Sequence, residues 1–177
     1  MERRTEAEKI VKKHVLWALG GGLVPIPLLD IAAVSLVQID MLKQICRLYG
    51  VSYSESRGKA ILSAVAGSSL ASVGASAIKT IPWVGTVLGG VSMPILAGAS
   101  TYSLAQAIIM HFESDGNLFD IDMDKVKKAY KENFQKGKEF ASNLKKKQDA
   151  SGSSSDDDDV PRPLWRFCGQ RNSYSGK

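Results

Sequence analysis

Between Lys59 and His111 the chain carries a single charged residue, Lys79, and this constrains what it can fold into more than any other feature. So long an apolar run must leave water, inside its own core, against a partner or in lipid, because burial of apolar surface is the main favourable term in folding. Lys79 stands beside Thr80-Ile81-Pro82-Trp83-Val84-Gly85, a turn-forming run. The stretch therefore predicts a hairpin of two apolar helical arms. The first arm, Ala60 to Ile78, is built mostly of Ala, Ser and Gly. The second, Val84 to Met110, is longer and is expected to bend at Pro94, whose ring removes a helical donor.

The segments around the hairpin also read as helices. From Thr5 to Leu19, Ala7, Ile10, Val11, Val15 and Ala18 recur at helical spacing. Gly20-Gly21-Gly22 is expected to stop that helix, and Pro25-Ile26-Pro27 to form an extended link. Pro27 suits the first turn of a second helix running to about Tyr49, with Gly50 as its stop. Leu29, Ala33, Leu36, Leu42 and Ile45 form the apolar stripe of that helix, with Gln38, Asp40, Lys43, Gln44 and Arg47 around it. Ser52-Tyr53-Ser54-Glu55 matches a capping box, so the hairpin's first arm should open near Tyr53.

After the hairpin comes a turn cluster, Glu113 to Asn117, and then Asp120 or Asp122 as the cap of a final helix. Along that helix Val126, Tyr130, Phe134, Gly137, Ala141 and Leu144 alternate in steps of four and three, a narrow seam for one partner helix. Lysines surround the seam. From Gln148 the composition changes to Ser, Gly and an Asp run, which has little to bury and should be disordered in isolation. The chain thus reads as an all-α protein of helical hairpins packed as a small bundle, with a C-terminal amphipathic helix and a disordered tail. Residues 1–147 form the helical, membrane-associated domain and residues 148–177 the tail.

Chemistry is sparsely encoded. A phosphate-binding loop needs glycines followed by Lys-Ser or Lys-Thr, and neither Gly58-Lys59-Ala60 nor the Gly85 to Gly90 run supplies that pattern. Cys46 and Cys168 give neither a disulfide framework nor metal spacing. His14 and His111 stand without an acid or cysteine at ligand spacing and should be solvated or interfacial. Asp30 is the one acid in a long apolar stretch and so a possible functional acid, although an acid in a first helical turn also favours the helix dipole. No catalytic residue, cofactor or metal is expected.

Binding features are richer. The small residues Gly67, Ala71 and Gly74, with Trp83 and Gly85 at the turn, are candidates for membrane or helix packing, since small faces let helices approach closely in lipid. A bilayer span takes about 20 apolar residues, which the first arm barely reaches and the second exceeds. A core helix of a soluble bundle has the same look, so insertion and a soluble bundle both stand. A net charge of +5 points to an anionic partner. Lys125, Lys127, Lys128, Lys131, Lys145, Lys146 and Lys147 are the candidates for binding anionic lipid headgroups, with both chain ends on the cytoplasmic side by the positive-inside rule. Nucleic-acid binding is not expected, because no aromatic platform accompanies these lysines. Trp165-Arg166-Phe167, after a Pro-x-Pro, reads as a short docking peptide. The function expected is that of a non-enzymatic membrane-associated scaffold or regulator, a homo-oligomer, with a soluble helical adaptor or oligomerisation module as the alternative.

Pro25-x-Pro27-x-x-Asp30, then Gln38, Met41, Ile45 and Tyr49-Gly50, and later Ile81-Pro82, Gly85 and Thr101-Tyr102, occur in an order that resembles domain-of-unknown-function family 697. The resemblance covers roughly Val11 to Phe112. It implies membrane association and a GTPase as a partner, which here would be a separate polypeptide. The family has no established catalytic residues to carry over.

Overall fold

Gly50 shows how local chemistry sets the first boundary. Its φ of 71° is left-handed, the conformation glycine adopts at little cost. The Gly50 N–H donates to the Arg47 carbonyl (3.2 Å) and the Val51 N–H to the Cys46 carbonyl (2.8 Å), which is the Schellman closure of a helix. The computed structural model describes residues 2–21, 27–65 and 92–151, with backbone alone at residues 21 and 27–31. They form α1 (Glu2–Gly21), α2 (Pro27–Tyr49), α3 (residues 55–65), α4 (Met93–Glu113) and α5 (Met123–Ser151). Among the described residues there is no strand, and the all-α expectation holds.

Three boundaries differ from the sequence reading. α1 continues through Gly20 and Gly21, because a helical glycine costs only about 1 kcal/mol and the buried Ala18 and Leu19 hold the last turn. Pro94 does not bend a helix: it lies in the first turn of α4, behind Ser92 as N-cap, where a missing N–H is no loss. α5 runs to Ser151, a turn beyond Lys147.

Asp122, rather than Asp120, caps α5. Its Oδ1 accepts from the backbone N–H groups of Asp124 (2.9 Å) and Lys125 (3.2 Å). These donors hold the Asp122 carboxyl below its ordinary value. Asp120 instead closes the preceding loop, accepting from the Asn117 N–H at 2.8 Å. A depressed carboxyl stabilises the fold above the ordinary carboxylate range, and that contribution is lost as pH falls through the lowered value. We expect Asp122→Asn, which keeps a capping oxygen, to flatten the acid limb of helicity against pH measured by circular dichroism. An acid limb identical to wild type would show that the cap does not titrate there.

α4 is the helix around which the rest is arranged. α1 runs antiparallel to it, since Arg4 pairs with Glu113 at one end while Leu19 and Val15 reach Gly98 at the other. α5 is also antiparallel: Gly137 faces Ala99, Ala141 faces Gly98, and the Tyr102 and Phe140 rings stack 4.8 Å apart. α2 runs parallel to α4, with Gln38 bonded to Ser100 (3.1 Å) and Tyr49 against Phe112. Ile108 and Ile109 of α4 are fully buried, as are Val11 of α1 and Ile45 of α2, and these side chains form one core with Ile61 of α3 and Tyr130 of α5.

The seam expected on the final helix is the one observed. Val126, Tyr130, Gly137, Ala141 and Leu144 are buried, Phe134 is partly so, and the partner helix is α4.

Candidate functional site

The bundle has two unlike ends, and the difference follows from the register. One end gathers the start of α1, the end of α2 and the turn between α4 and α5. It is charged: Arg4 pairs with Glu113, the Tyr49 hydroxyl donates to Glu113 (3.4 Å), and an open cleft of about 690 Å³ lies among Arg3, Tyr49, Phe112 and Asp115. Burial, and then the Glu113 carboxylate, push the Tyr49 phenol up.

The other end gathers the close of α1 and the starts of α2 and α4. There Met93 is 60% exposed, while the other large exposed apolar side chains are Leu36 (63%) near the middle of α2 and Met110 (47%) and Phe119 (55%) toward the charged end. Counting along α5 from the Gly98 to Ala141 contact places Lys145, Lys146 and Lys147 level with the first turn of α4. Among the described residues none of these three lysines makes an ion pair, and of the four nearer the start of α5 only Lys127 does, with Asp124 at 3.1 Å.

The lysines proposed from sequence as one anionic-surface set are therefore two sets. Lys125, Lys127, Lys128 and Lys131 lie in the first turns of α5, beside the charged end. At about 1.5 Å per residue, Lys128 and Lys146 are roughly 27 Å apart. The separation follows from helical rise alone, but which end of the bundle each set adjoins depends on the direction of α5 against α4, a tertiary property.

Asp30 falls, on the α2 backbone, level with the start of α4, and its side chain lies outside what is described. Gly67, Ala71, Gly74, Trp83 and Gly85 lie outside the described residues, as do Trp165, Arg166 and Phe167.

The histidines depart from the sequence reading: each has an acid beside it. His14 is fully buried, its Nδ1 donating to the Ile10 carbonyl (2.7 Å) and its Nε2 standing 3.0 Å from Asp40 Oδ2. Gln44 Nε2 donates to the same carboxylate oxygen at 2.7 Å. Trp17 covers the imidazole edge-on at 4.8 Å, with Lys13 over the indole. This network ties α1 to α2. Asp40 and Gln44, one turn apart on α2, were a visible signal, but their partner is 26 positions away from Asp40 and appears only when the two helices pair. His111 Nε2 likewise meets Asp120 Oδ1 and the Asn117 carbonyl, both at 2.9 Å. Gln38, read as peripheral, is buried against Ser100 and Thr101. Burial pushes the Cys46 thiol up to about 11, so it is protonated at neutral pH. Among the described residues no group of three or more His, Cys, Asp or Glu is placed to hold a metal ion.

What fold and site define together is an α-helical bundle with a charged cleft at one end and the lysine-rich close of α5 at the other. The chain belongs to the family described as Domain of unknown function (DUF697), whose model matches residues 1–139. A relative from Magnetospirillum gryphiswaldense called Magnetosome membrane protein 22 is 37% identical over 150 residues, covering 82% of this chain and 77% of that protein. No solved structure matches the chain.

Proposed function

We propose that this chain is a non-enzymatic, membrane-associated scaffold or regulatory protein that works on the cytoplasmic side of an anionic membrane. The observation that carries this reading is the nearly uncharged chain between 66 and 91, with Lys79 as its one charge, which returns to the bundle at Ser92 beside the exposed Met93. The name of the Magnetospirillum relative supports a membrane setting. A separate GTPase, which the resemblance implies, is the regulated or regulating partner in this reading, with self-association as the means of building a platform. In membranes prepared from cells making the full chain, the protein is expected to stay with the lipid through high-salt and alkaline carbonate washes. Release into the supernatant as a species that is monodisperse without detergent would remove the reading.

A second reading, a soluble helical adaptor or oligomerisation module, is favoured by α4. Met93–Glu113 is long and apolar enough to cross a bilayer, with mean hydropathy 1.3, yet more than half of it is buried inside the bundle. A core helix looks like this. Under this reading the same washes yield a detergent-independent oligomer.

A further inference from the structure

We propose that the aspartate run Asp156 to Asp159 folds back onto the outer face of α5 and covers the lysines that close that helix. The inference goes beyond the membrane reading and does not depend on it, because these lysines are covered whatever anion they would otherwise meet. The periodicity that makes the seam also makes this face. Val126, Tyr130, Gly137, Ala141 and Leu144 are buried toward α4, which leaves Gln135, Lys138, Glu139, Ser142, Asn143 and Lys146 on the opposite side, lining an open groove of about 360 Å³. Among the described residues the side chains of Gln135, Ser142 and Asn143 make no hydrogen bond, and Lys138, Lys145, Lys146 and Lys147 make no ion pair. Glu139 is the one acid lining the groove, against Lys138 and Lys146. The face therefore offers amide, hydroxyl and ammonium donors, carries net positive charge and has no apolar floor. That chemistry suits carboxylates on an extended chain.

Chain length selects the occupant. α5 closes at Ser151, and Gly152 with Ser153 to Ser155, all turn-forming types, separates it from the four aspartates. Even fully extended, the chain from Ser151 to Asp159 spans at most about 29 Å, and a reversal of direction shortens that. At about 1.5 Å per residue, Lys145 to Lys147 lie roughly 6–9 Å back from Ser151 and Lys138 about 20 Å back, which is within reach. Lys131 is about 30 Å back and Lys125 about 39 Å, which is not. An exposed ion pair favours the paired state by about 1.5- to 5-fold, so four pairs together favour the covered form by tenfold or more. An external anion then meets Lys138 and Lys145 to Lys147 only by displacing the aspartates, while Lys125 to Lys131 stay open to it.

The test is paramagnetic broadening of the α5 amide signals in the full chain, held in zwitterionic detergent. A nitroxide is placed on Val160→Cys in a Cys168→Ser background, with Cys46 buried. A tail that only trails from the helix broadens the amides nearest Ser151 most and the others progressively less. The covered form should move the maximum back to residues 135–146. That maximum should be lost in about 1 M salt, where charges are screened within about 3 Å. It should be lost as well in the variant Asp156→Asn, Asp157→Asn, Asp158→Asn, Asp159→Asn, and in the variant Lys138→Gln, Lys145→Gln, Lys146→Gln, Lys147→Gln. The variant Lys125→Gln, Lys127→Gln, Lys128→Gln, Lys131→Gln should keep it. A profile that falls steadily from Ser151, or one that the asparagine variant leaves unchanged, overturns the proposal. So does broadening in a mixture of nitroxide-bearing and isotope-labelled chains that matches the broadening within one chain, since the contact would then lie between copies.

Discussion

Ile108→Ala is expected to lower the unfolding free energy by about 2–5 kcal/mol in urea titrations of the full chain, because the substitution removes buried methylene groups and leaves a cavity that a packed core closes only in part. Ile108 is fully buried in the C-terminal half of α4, within the core that α4 forms with residues of α1, α2 and α5. The experiment separates two environments that look alike in sequence. Were this face of α4 turned toward lipid, the same change would cost little in detergent solution, since no protein neighbour would lose contact. Met93→Ala serves as the internal comparison. Met93 is 60% exposed, and its truncation should stay within about 0.5 kcal/mol, as surface changes usually do. A cost below about 1 kcal/mol for Ile108→Ala would mean that α4 is not the packed centre described above, since removing core methylenes costs more than that.

Gly137→Leu should be the next most damaging change, at about 1–3 kcal/mol and toward the upper end. A Cβ at residue 137 would lie 2.8 Å from the Ala99 carbonyl oxygen and 3.2 Å from Ala99 Cα. Both atoms belong to the α4 backbone, which has no rotamer to adopt, so the helices would have to move apart. The opposing effect is real: glycine within a helix is about 1 kcal/mol worse than alanine. At an open position that gain would win. Here it is outweighed, since Ser103 Oγ at 2.9 Å closes the other side. The check is the thermal midpoint of Gly137→Leu, with Gly20→Ala as control, because among the described residues nothing stands within 4 Å of a Cβ at Gly20. The control should hold or rise while the seam variant falls. A rise in both would show that α4 and α5 are further apart than their contacts indicate.

Much of this architecture was legible because local rules and burial pointed the same way. The stop at Gly50, the start at Pro27 and the seam from Val126 to Leu144 each rest on residues whose backbone or spacing allows few alternatives. The capping residue of α5 was narrowed to two aspartates and resolved to Asp122 by its bonds to the two backbone donors that follow it. Where reading from sequence failed, it weighed a local penalty without its tertiary offset. Gly20 and Gly21 stay helical because the turn before them is buried, and Pro94 starts a helix that it was expected to bend. His14 looks solitary in the sequence because Asp40 is distant along the chain and adjacent only across the α1 to α2 pairing.

By itself the amino-acid order determined that this protein is helical, where most of its helices begin and end, and that its middle is nearly free of charge, because capping, glycine conformation and apolar periodicity act over a turn or two of chain. Only tertiary packing decided that residues 93–113 form a protein core and that one lysine-rich helix has two ends with different surroundings. Helix direction and partner choice depend on contacts between residues far apart in the chain, such as Gly98 with Ala141 and Arg4 with Glu113, and such contacts leave no periodic trace in either segment alone.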